Sequence, residues 1–123
     1  MTNNVELARL LEGGVGTHGG TPETFAETDV EPGHGLTVSP ADVSSDYLLI
    51  QTFSVEQSAD VYQETDIDGD GEFDASVRIE RFEAAGISQK NAVPLSTKPL
   101  SRLRVVNTGQ SAGDIIVTGS KID

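Results

Sequence analysis

Five acidic side chains at alternate positions form the segment of this sequence best suited to chemistry. Calcium takes about six to eight oxygen ligands, and carboxylates spaced two residues apart around a turn at Gly71 can supply them from one short loop. The candidate metal ligands are therefore Asp66, Asp68, Asp70, Glu72 and Asp74, with Glu72 offering its backbone carbonyl. The candidate cofactor is Ca²⁺.

This acidic loop follows the EF-hand spacing only in its first part. The position where an EF-hand places its closing bidentate acid is occupied by Val77, and no helical pattern flanks the loop. The loop is more similar to the Asp-rich loops of dockerins and thrombospondin type 3 repeats, inserted into a β-hairpin. Because Asp-Gly is also a favoured hairpin turn, a bound calcium ion and a metal-free acidic turn both remain open.

No catalytic residue is predicted, and the sequence favours a protein that is not an enzyme. The segment Gly14–Gly19 fits a dinucleotide fingerprint in its letters, but it follows a helical pattern and not a strand. The two histidines, His18 and His34, lie in a glycine-rich stretch without a nucleophile elbow in the order that a serine hydrolase requires.

Composition limits the classes of partner. The chain has 123 residues, no cysteine, and 20 acidic against 8 basic side chains, for a net charge of -12. Such acidity argues against nucleic acid as a partner, because that affinity comes mainly from cations that neutralise phosphates. The surface should repel itself at low salt and not at molar salt, which indicates a halophilic source. No apolar run is long enough for membrane insertion as a helix, and no charged-then-apolar leader pattern suggests secretion by a signal peptide.

The first part of the sequence predicts an attachment arm. A short helix is expected over 5–12, with Leu7, Leu10 and Leu11 along one stripe. A helix of this length is not stable alone in water, so these leucines are the candidate partner interface. The Gly-rich segment that follows has little to bury, and residues 1–35 are therefore predicted to form a helix and an extended arm.

From Leu36 onward the pattern is that of β-strands. Tyr47, Leu49, Phe53 and Val55 are expected on one face of a long strand, and Phe73, Ala75, Val77 and Ile79 alternate with polar residues. Leu103, Val105, Ile115 and Val117 mark two further strands around a turn at 107–109. Residues 36–123 are therefore predicted to form an all-β domain, an antiparallel β-sandwich or jelly roll.

Two strand patterns resemble those of a known class of proteins. The segment 60–64 precedes an Asp/Gly-rich turn, and the segment 102–109, basic and valine-rich, ends in an Asn/Gly turn before 114–117. Together, over about residues 46–123, they look like the β-sandwich modules of tailed-virus structural proteins. Combined with the halophilic composition, the resemblance implies a structural protein of a haloarchaeal tailed virus, located in the virion. It also implies a core strand at Leu103 and Val105.

Two functions follow as expectations. The first is a non-enzymatic virion structural protein, either a capsid decoration or turret subunit or a tail or baseplate subunit. It would dock on other virion proteins through its N-terminal arm and form a homo-oligomer with its own copies, because the isolated core is small. The alternative is an extracellular calcium-stabilised β-sandwich binding module, for example one that binds carbohydrate.

Overall fold

The computed structural model describes residues 20–122, with the side chains of residues 90 and 91 excepted. Within that range the chain forms eight β-strands and one short 3-10 turn, Pro40–Val43. The strands are β1 Thr21–Val30, β2 Gly35–Val38, β3 Tyr47–Val55, β4 Ala59–Thr65, β5 Ala75–Phe82, β6 Gly86–Ser96, β7 Ser101–Asn107 and β8 Gly113–Ile122. No helix among these residues is long and apolar enough to cross a membrane. The predicted helix with Leu7, Leu10 and Leu11 lies outside the described residues.

The strands form two antiparallel four-stranded sheets, in the orders β1-β8-β3-β6 and β2-β7-β4-β5. We call them the first and the second sheet. Apolar side chains from both sheets fill the space between them, and the largest fully buried ones are Phe53, Leu48, Ile50, Leu95 and Leu103. In β7 buried and half-buried residues alternate strictly, as expected for a strand with one face on a core. The predicted all-β sandwich is confirmed, with Leu103 and Val105 in its core.

The strand β1 lies in the segment that the sequence assigned to the arm. It pairs with β8 from Thr21↔Lys121 to Glu27↔Ile115, and Phe25 packs against the core. The sandwich thus begins at β1 and not at Leu36. The sequence did not predict β1 as a strand because its composition is polar. β1 is an edge strand with mostly exposed side chains, and such a strand needs few apolar residues.

A β-bulge corrects the predicted face of β3. The register against both neighbouring strands shifts between Ile50 and Thr52. Against β8, Ile50 and Thr52 pair with the consecutive residues Gly119 and Thr118, so Gln51 is an extra residue there. Leu48 and Ile50 therefore share the core with Phe53 and Val55, whereas Tyr47 is 58% exposed. A bulge reverses the alternation of faces beyond it, which is why the predicted grouping of Tyr47 and Leu49 with Phe53 was wrong.

The predicted alternation in β5 is also only partly correct. Ile79 packs against the core, but Val77 is 61% exposed. β5 is an edge strand of the second sheet, and its register against β4 shifts between Val61 and Tyr62. A strand at this place can leave a valine in solvent, because only part of its inner face is covered.

Candidate metal-binding loop

The acidic loop connects β4 to β5 and is anchored at its first residue. Asp66 directly follows β4, and its backbone N–H donates to the carbonyl oxygen of Leu100 at 2.8 Å. Asp66 is only 4% exposed, although it lies at the mouth of an open groove between the loop and the segment 97–100. One carboxylate of the loop is therefore held at the edge of the sandwich, while the others extend into solvent.

Two glycines let the loop fold around the Asp66 carboxylate. Gly69 and Gly71 have φ of 77° and 90°, a region that residues with a Cβ rarely adopt. The N–H of Gly69 donates to Oδ1 of Asp66 at 2.9 Å, and the N–H of Gly71 donates to Oδ2 at 2.8 Å. Both oxygens of this buried carboxylate are thus satisfied by backbone donors.

The remaining aspartates also accept hydrogen bonds from the loop backbone. Asp68 Oδ1 accepts from the N–H of Asp70 at 3.3 Å, and Asp70 Oδ1 accepts from the N–H of Glu72 at 2.9 Å. Asp74 Oδ2 accepts from the N–H of Ile67 at 3.1 Å, which closes the loop. The carboxylates therefore converge because each one caps a nearby turn of the backbone.

The convergence brings four of the five predicted ligands together. One carboxylate oxygen from each of Asp66, Asp68, Asp70 and Asp74 lies within 4.8 Å of the others. Oxygens on opposite sides of a calcium ion are at most ~5 Å apart, since each Ca–O distance is ~2.3–2.6 Å. This spacing therefore suits one calcium ion. The side chain of Glu72 is not part of the group, and calcium binding stays a prediction.

The pKa values of two aspartates of the loop, Asp66 and Asp68, are shifted in opposite directions. Burial would raise the pKa of Asp66, but hydrogen bonds from the backbone amides of Gly71 and Gly69 outweigh it and hold this pKa below its usual value. Partial desolvation within the loop, the neighbouring Asp70 carboxyl group and the charge of Asp74 raise the pKa of Asp68. Clustered carboxylates oppose one another's ionisation, so a divalent cation at this place would relieve repulsion that is otherwise built into the loop.

A second charged cluster lies beside the loop, on the outer face of the second sheet. Glu64 is 6% exposed, and it accepts hydrogen bonds from Arg102 Nε at 2.8 Å and from Arg104 Nη2 at 3.1 Å. The Arg102 guanidinium lies over the Phe73 ring, 3.9 Å from its centroid, and that of Arg104 lies 4.8 Å from the centroid of Tyr62. These stacked arginines fix the carboxyl end of β4, from which the acidic loop starts.

Sequence reasoning did not find this cluster. Its members come from β4, β7 and the loop, and only the pairing Glu64↔Arg102 and Tyr62↔Arg104 brings them together. The sequence did offer one signal for it. Tyr62 and Glu64 are two residues apart, as are Arg102 and Arg104, so each pair would lie on one face of its strand. The other residues considered for chemistry contribute nothing to the cluster, since His34 lies in the exposed β1–β2 turn and His18 lies outside the described residues.

Fold and loop together define an eight-stranded antiparallel β-sandwich, counted over residues 20–122, with an Asp-rich hairpin loop. Among solved structures it is similar to the crystal structure of Drosophila NLP-core, with a TM-score of 0.50 and 13% identity over 83% of this chain and 98% of that one. That likeness concerns the fold alone.

No protein-family model matches the sequence. The chain is 34% identical over 89 residues to Gp30 of Haloferax tailed virus 1, an alignment that covers 71% of this chain and 76% of Gp30. It belongs to the family of this haloarchaeal virus protein.

Proposed function

We propose that the chain is a non-enzymatic structural protein of the virion of a haloarchaeal tailed virus. The observation that carries the proposal is the kinship with Gp30 of Haloferax tailed virus 1. Two further observations support it. The net charge of -12 suits a particle that persists in concentrated salt, where surface repulsion is screened. The two antiparallel sheets packed around one apolar core suit a rigid building block.

Within the virion, we assign the chain to a small capsid decoration or turret subunit, or to a tail subunit. Such a subunit contacts both other virion proteins and its own copies. The solved neighbour, Drosophila NLP-core, is described in terms of pentamer formation, so a sandwich of this fold is able to build closed assemblies. Closed symmetric assembly is also the common solution for small subunits.

Attachment to the particle is proposed for the residues that precede β1. On the helix predicted from the sequence, Leu7, Leu10 and Leu11 would share one apolar stripe, as expected of a segment that orders on a partner. Because β1 is a paired strand of the sandwich, the attachment segment is shorter than the sequence suggested and ends before Thr21.

The experiment that tests the virion role begins with particles purified on a density gradient at molar salt. Quantitative mass spectrometry should find the chain at a constant ratio to the major capsid protein across the particle peak. A protein that is absent from the peak, or that varies independently of the capsid protein, would show that the chain acts only inside the infected cell and would overturn the proposal.

The attachment segment is tested separately with point variants in the virus. Leu7→Asp with Leu11→Asp should strongly reduce incorporation, because a charged side chain is costly to bury in an apolar contact. Val5→Asp is the matched control, since Val5 lies off the stripe and should leave incorporation unchanged. Equal incorporation of all three proteins would place attachment on the sandwich instead.

A further inference from the structure

The outer face of the second sheet carries most of the arginines of this chain. Val61 and Leu103 are buried in the core, so the residues that alternate with them point outward, and the strand register adds their partners on β5. We call this surface the arginine face: Arg78, Arg81, Arg102 and Arg104, with Asp60, Tyr62 and Glu64 between them. The sequence has five arginines against 20 acidic side chains, and four of the five are gathered here.

The charge that the arginine face presents to solvent is positive. Its two carboxylates, Asp60 and Glu64, are buried, whereas its four arginines are half-buried or exposed. Glu83 at the margin of the face pairs with Arg81 at 3.7 Å, which still leaves more arginines than carboxylates. In a chain with a net charge of -12, the face is therefore a local reversal of sign.

Arg78 is the arginine of this face whose charge is not compensated. The other three pair with the buried carboxylates of the face. Arg78 is exposed on the edge strand β5, opposite Tyr62, and no carboxylate among the described residues forms an ion pair with it. A guanidinium group is weakly hydrated and binds carboxylates through a planar pair of donors, so Arg78 is suited to an acidic group on a partner.

An acidic patch of matching character lies at one end of the first sheet. The N–H of Asp29 donates to Asp114 Oδ1 at 2.9 Å, and the N–H of Asp114 donates to Glu56 Oε1 at 2.8 Å. We call these three residues the acidic row, and none of the arginines and lysines whose side chains the structure describes pairs with it. Beside Glu56 lies an open groove of about 440 Å³ with Val55 and Ile87 in its wall. An arginine can place its apolar stem along such a wall and its guanidinium group at the carboxylate.

We propose that the arginine face of one copy of this chain docks on the acidic row and its groove in a second copy. The two surfaces are complementary in charge, whereas most other pairings between two copies would bring carboxylates together. Ion pairs in close contact are screened less than separated surface charges, so the contact can persist at molar salt. The inference deepens the proposed assembly of the virion subunit with its own copies and rests on it.

The placement of the two surfaces determines the kind of assembly. The arginine face belongs to the second sheet and the acidic row to the first, so one copy can use both at the same time. Such a head-to-tail contact is heterologous, and it either closes into a ring or continues as a filament. Each added copy again offers one free surface of each sign until a ring closes.

The test measures mass by sedimentation equilibrium, using the full chain at molar salt, where general repulsion between copies is screened. The wild-type chain should associate. Arg78→Glu should raise the dissociation constant at least ~10-fold, because like charges then oppose each other, and Glu56→Arg should do the same from the other side. Lys98→Glu is the matched control, since this exposed lysine lies beside the acidic loop and outside both surfaces, and it should leave association unchanged.

The double variant with both reversals tests whether these two residues meet. In Arg78→Glu with Glu56→Arg the signs are exchanged but remain complementary, so association should return toward the wild-type level. Arg78→Gln removes the charge without reversing it and should weaken association less than Arg78→Glu. Circular dichroism melting should show the wild-type spectrum for every variant, because Arg78 and Glu56 are both exposed.

Three outcomes would overturn the inference. The first is association that neither single reversal weakens, and the second is a double variant that stays as weak as the single ones. The third is a chain that is monomeric at molar salt, and if Arg78→Glu then lowered incorporation into particles, the arginine face would serve an unlike acidic virion protein. None of these outcomes affects the virion role, because gradient-purified particles test that role independently.

Discussion

Replacement of Glu64 by Gln is the sharpest test of the charged cluster beside the loop. The side chain keeps its size but loses its charge and one of its acceptor oxygens. Arg102 Nε, Arg104 Nη2 and Ser76 Oγ now donate to it at 2.8, 3.1 and 3.1 Å. In Glu64→Gln the two guanidinium groups would remain beside each other without a counter-charge, and we expect the folded state to lose stability.

The expected loss of stability in Glu64→Gln depends on how deeply its ion pairs are buried. Breaking a fully buried ion pair by removing one partner costs about 3–5 kcal/mol. Here Glu64 is buried, but the Arg102 and Arg104 side chains are 33% and 35% exposed, so water can reach the guanidinium groups once they are released. We therefore expect a loss of about 2 kcal/mol, which for a domain of this size lowers Tm by roughly 8 °C.

The assay is thermal unfolding followed by circular dichroism, at molar and at reduced salt. Glu83→Gln is the matched control, because Glu83 pairs with Arg81 at 3.7 Å but its side chain is 86% exposed. Such surface pairs are worth at most ~1 kcal/mol. The Glu64→Gln loss should persist at molar salt, because buried pairs are little screened. If Glu64→Gln melts within ~1 °C of the wild type, or no lower than Glu83→Gln, the cluster does not stabilise the fold as argued here.

The stability difference between the wild type and Glu64→Gln should also depend on pH. Burial alone would raise the pKa of Glu64, but hydrogen bonds from Arg104, Arg102 and Ser76 outweigh it and hold this pKa below its ordinary value. The stabilisation is therefore fully present above the pKa of the unfolded chain and is lost as pH falls through the lower pKa of the folded chain. The difference in unfolding free energy between wild type and Glu64→Gln should shrink in that acidic window.

Three further predictions concern the loop, the surface charge and the packing of the first sheet. Calcium should raise Tm, and Asp68→Asn with Asp70→Asn should abolish this rise. Because the pKa of Asp68 is raised, this carboxylate becomes protonated early as pH falls, and the calcium effect on Tm should then weaken. The wild-type Tm should increase from millimolar to molar salt, because the net charge of -12 is then screened. Gly119→Ala should cost about 2 kcal/mol, because its Cβ would overlap the Leu49 carbonyl oxygen.

Each of these predictions has its own control. Magnesium in place of calcium should have a smaller effect, since it demands tighter octahedral geometry, and no heat of calcium binding in calorimetry would leave the loop as a turn. A Tm that is indifferent to salt would remove the argument from self-repulsion. Gly86→Ala should be nearly neutral, because its Cβ would lie at an ordinary 3.4 Å from Phe82. A Gly119→Ala variant as stable as this control would contradict the packing argument.

The sequence was informative wherever one strand faces a core without interruption. Leu103 and Val105 alternate with arginines in β7, and their burial could be predicted from the pattern alone. In β3 the same method grouped Leu49 with Phe53 incorrectly, because a single bulged residue, Gln51, changes the face of all residues beyond it. Local pattern does not reveal a bulge, since the bulge depends on how the neighbouring strands are paired.

The same distinction applies to the candidate site. The acidic loop could be recognised because its ligands are close in sequence, and its glycines have the positive φ values that the turn requires. The Glu64 cluster could not be recognised, because Arg102 lies 38 residues away along the chain. The order β1-β8-β3-β6 of the first sheet could not be predicted either, since these strands are distant in the sequence and become neighbours only in the fold.

The position of β1 at the edge of the first sheet has a consequence for how the protein opens. β1 carries Glu23, Glu27 and Asp29, and among the described strands it pairs within its sheet with β8 alone. Dilution of salt should therefore loosen it before the central strands, and its amides should exchange with solvent first. Once β1 is released, the unpaired edge of β8 becomes a template for a new strand. In a concentrated solution that strand can be the β1 of another molecule. Low salt would then produce exchanged chains that persist after salt is restored, so the ionic history of a sample would determine what it contains.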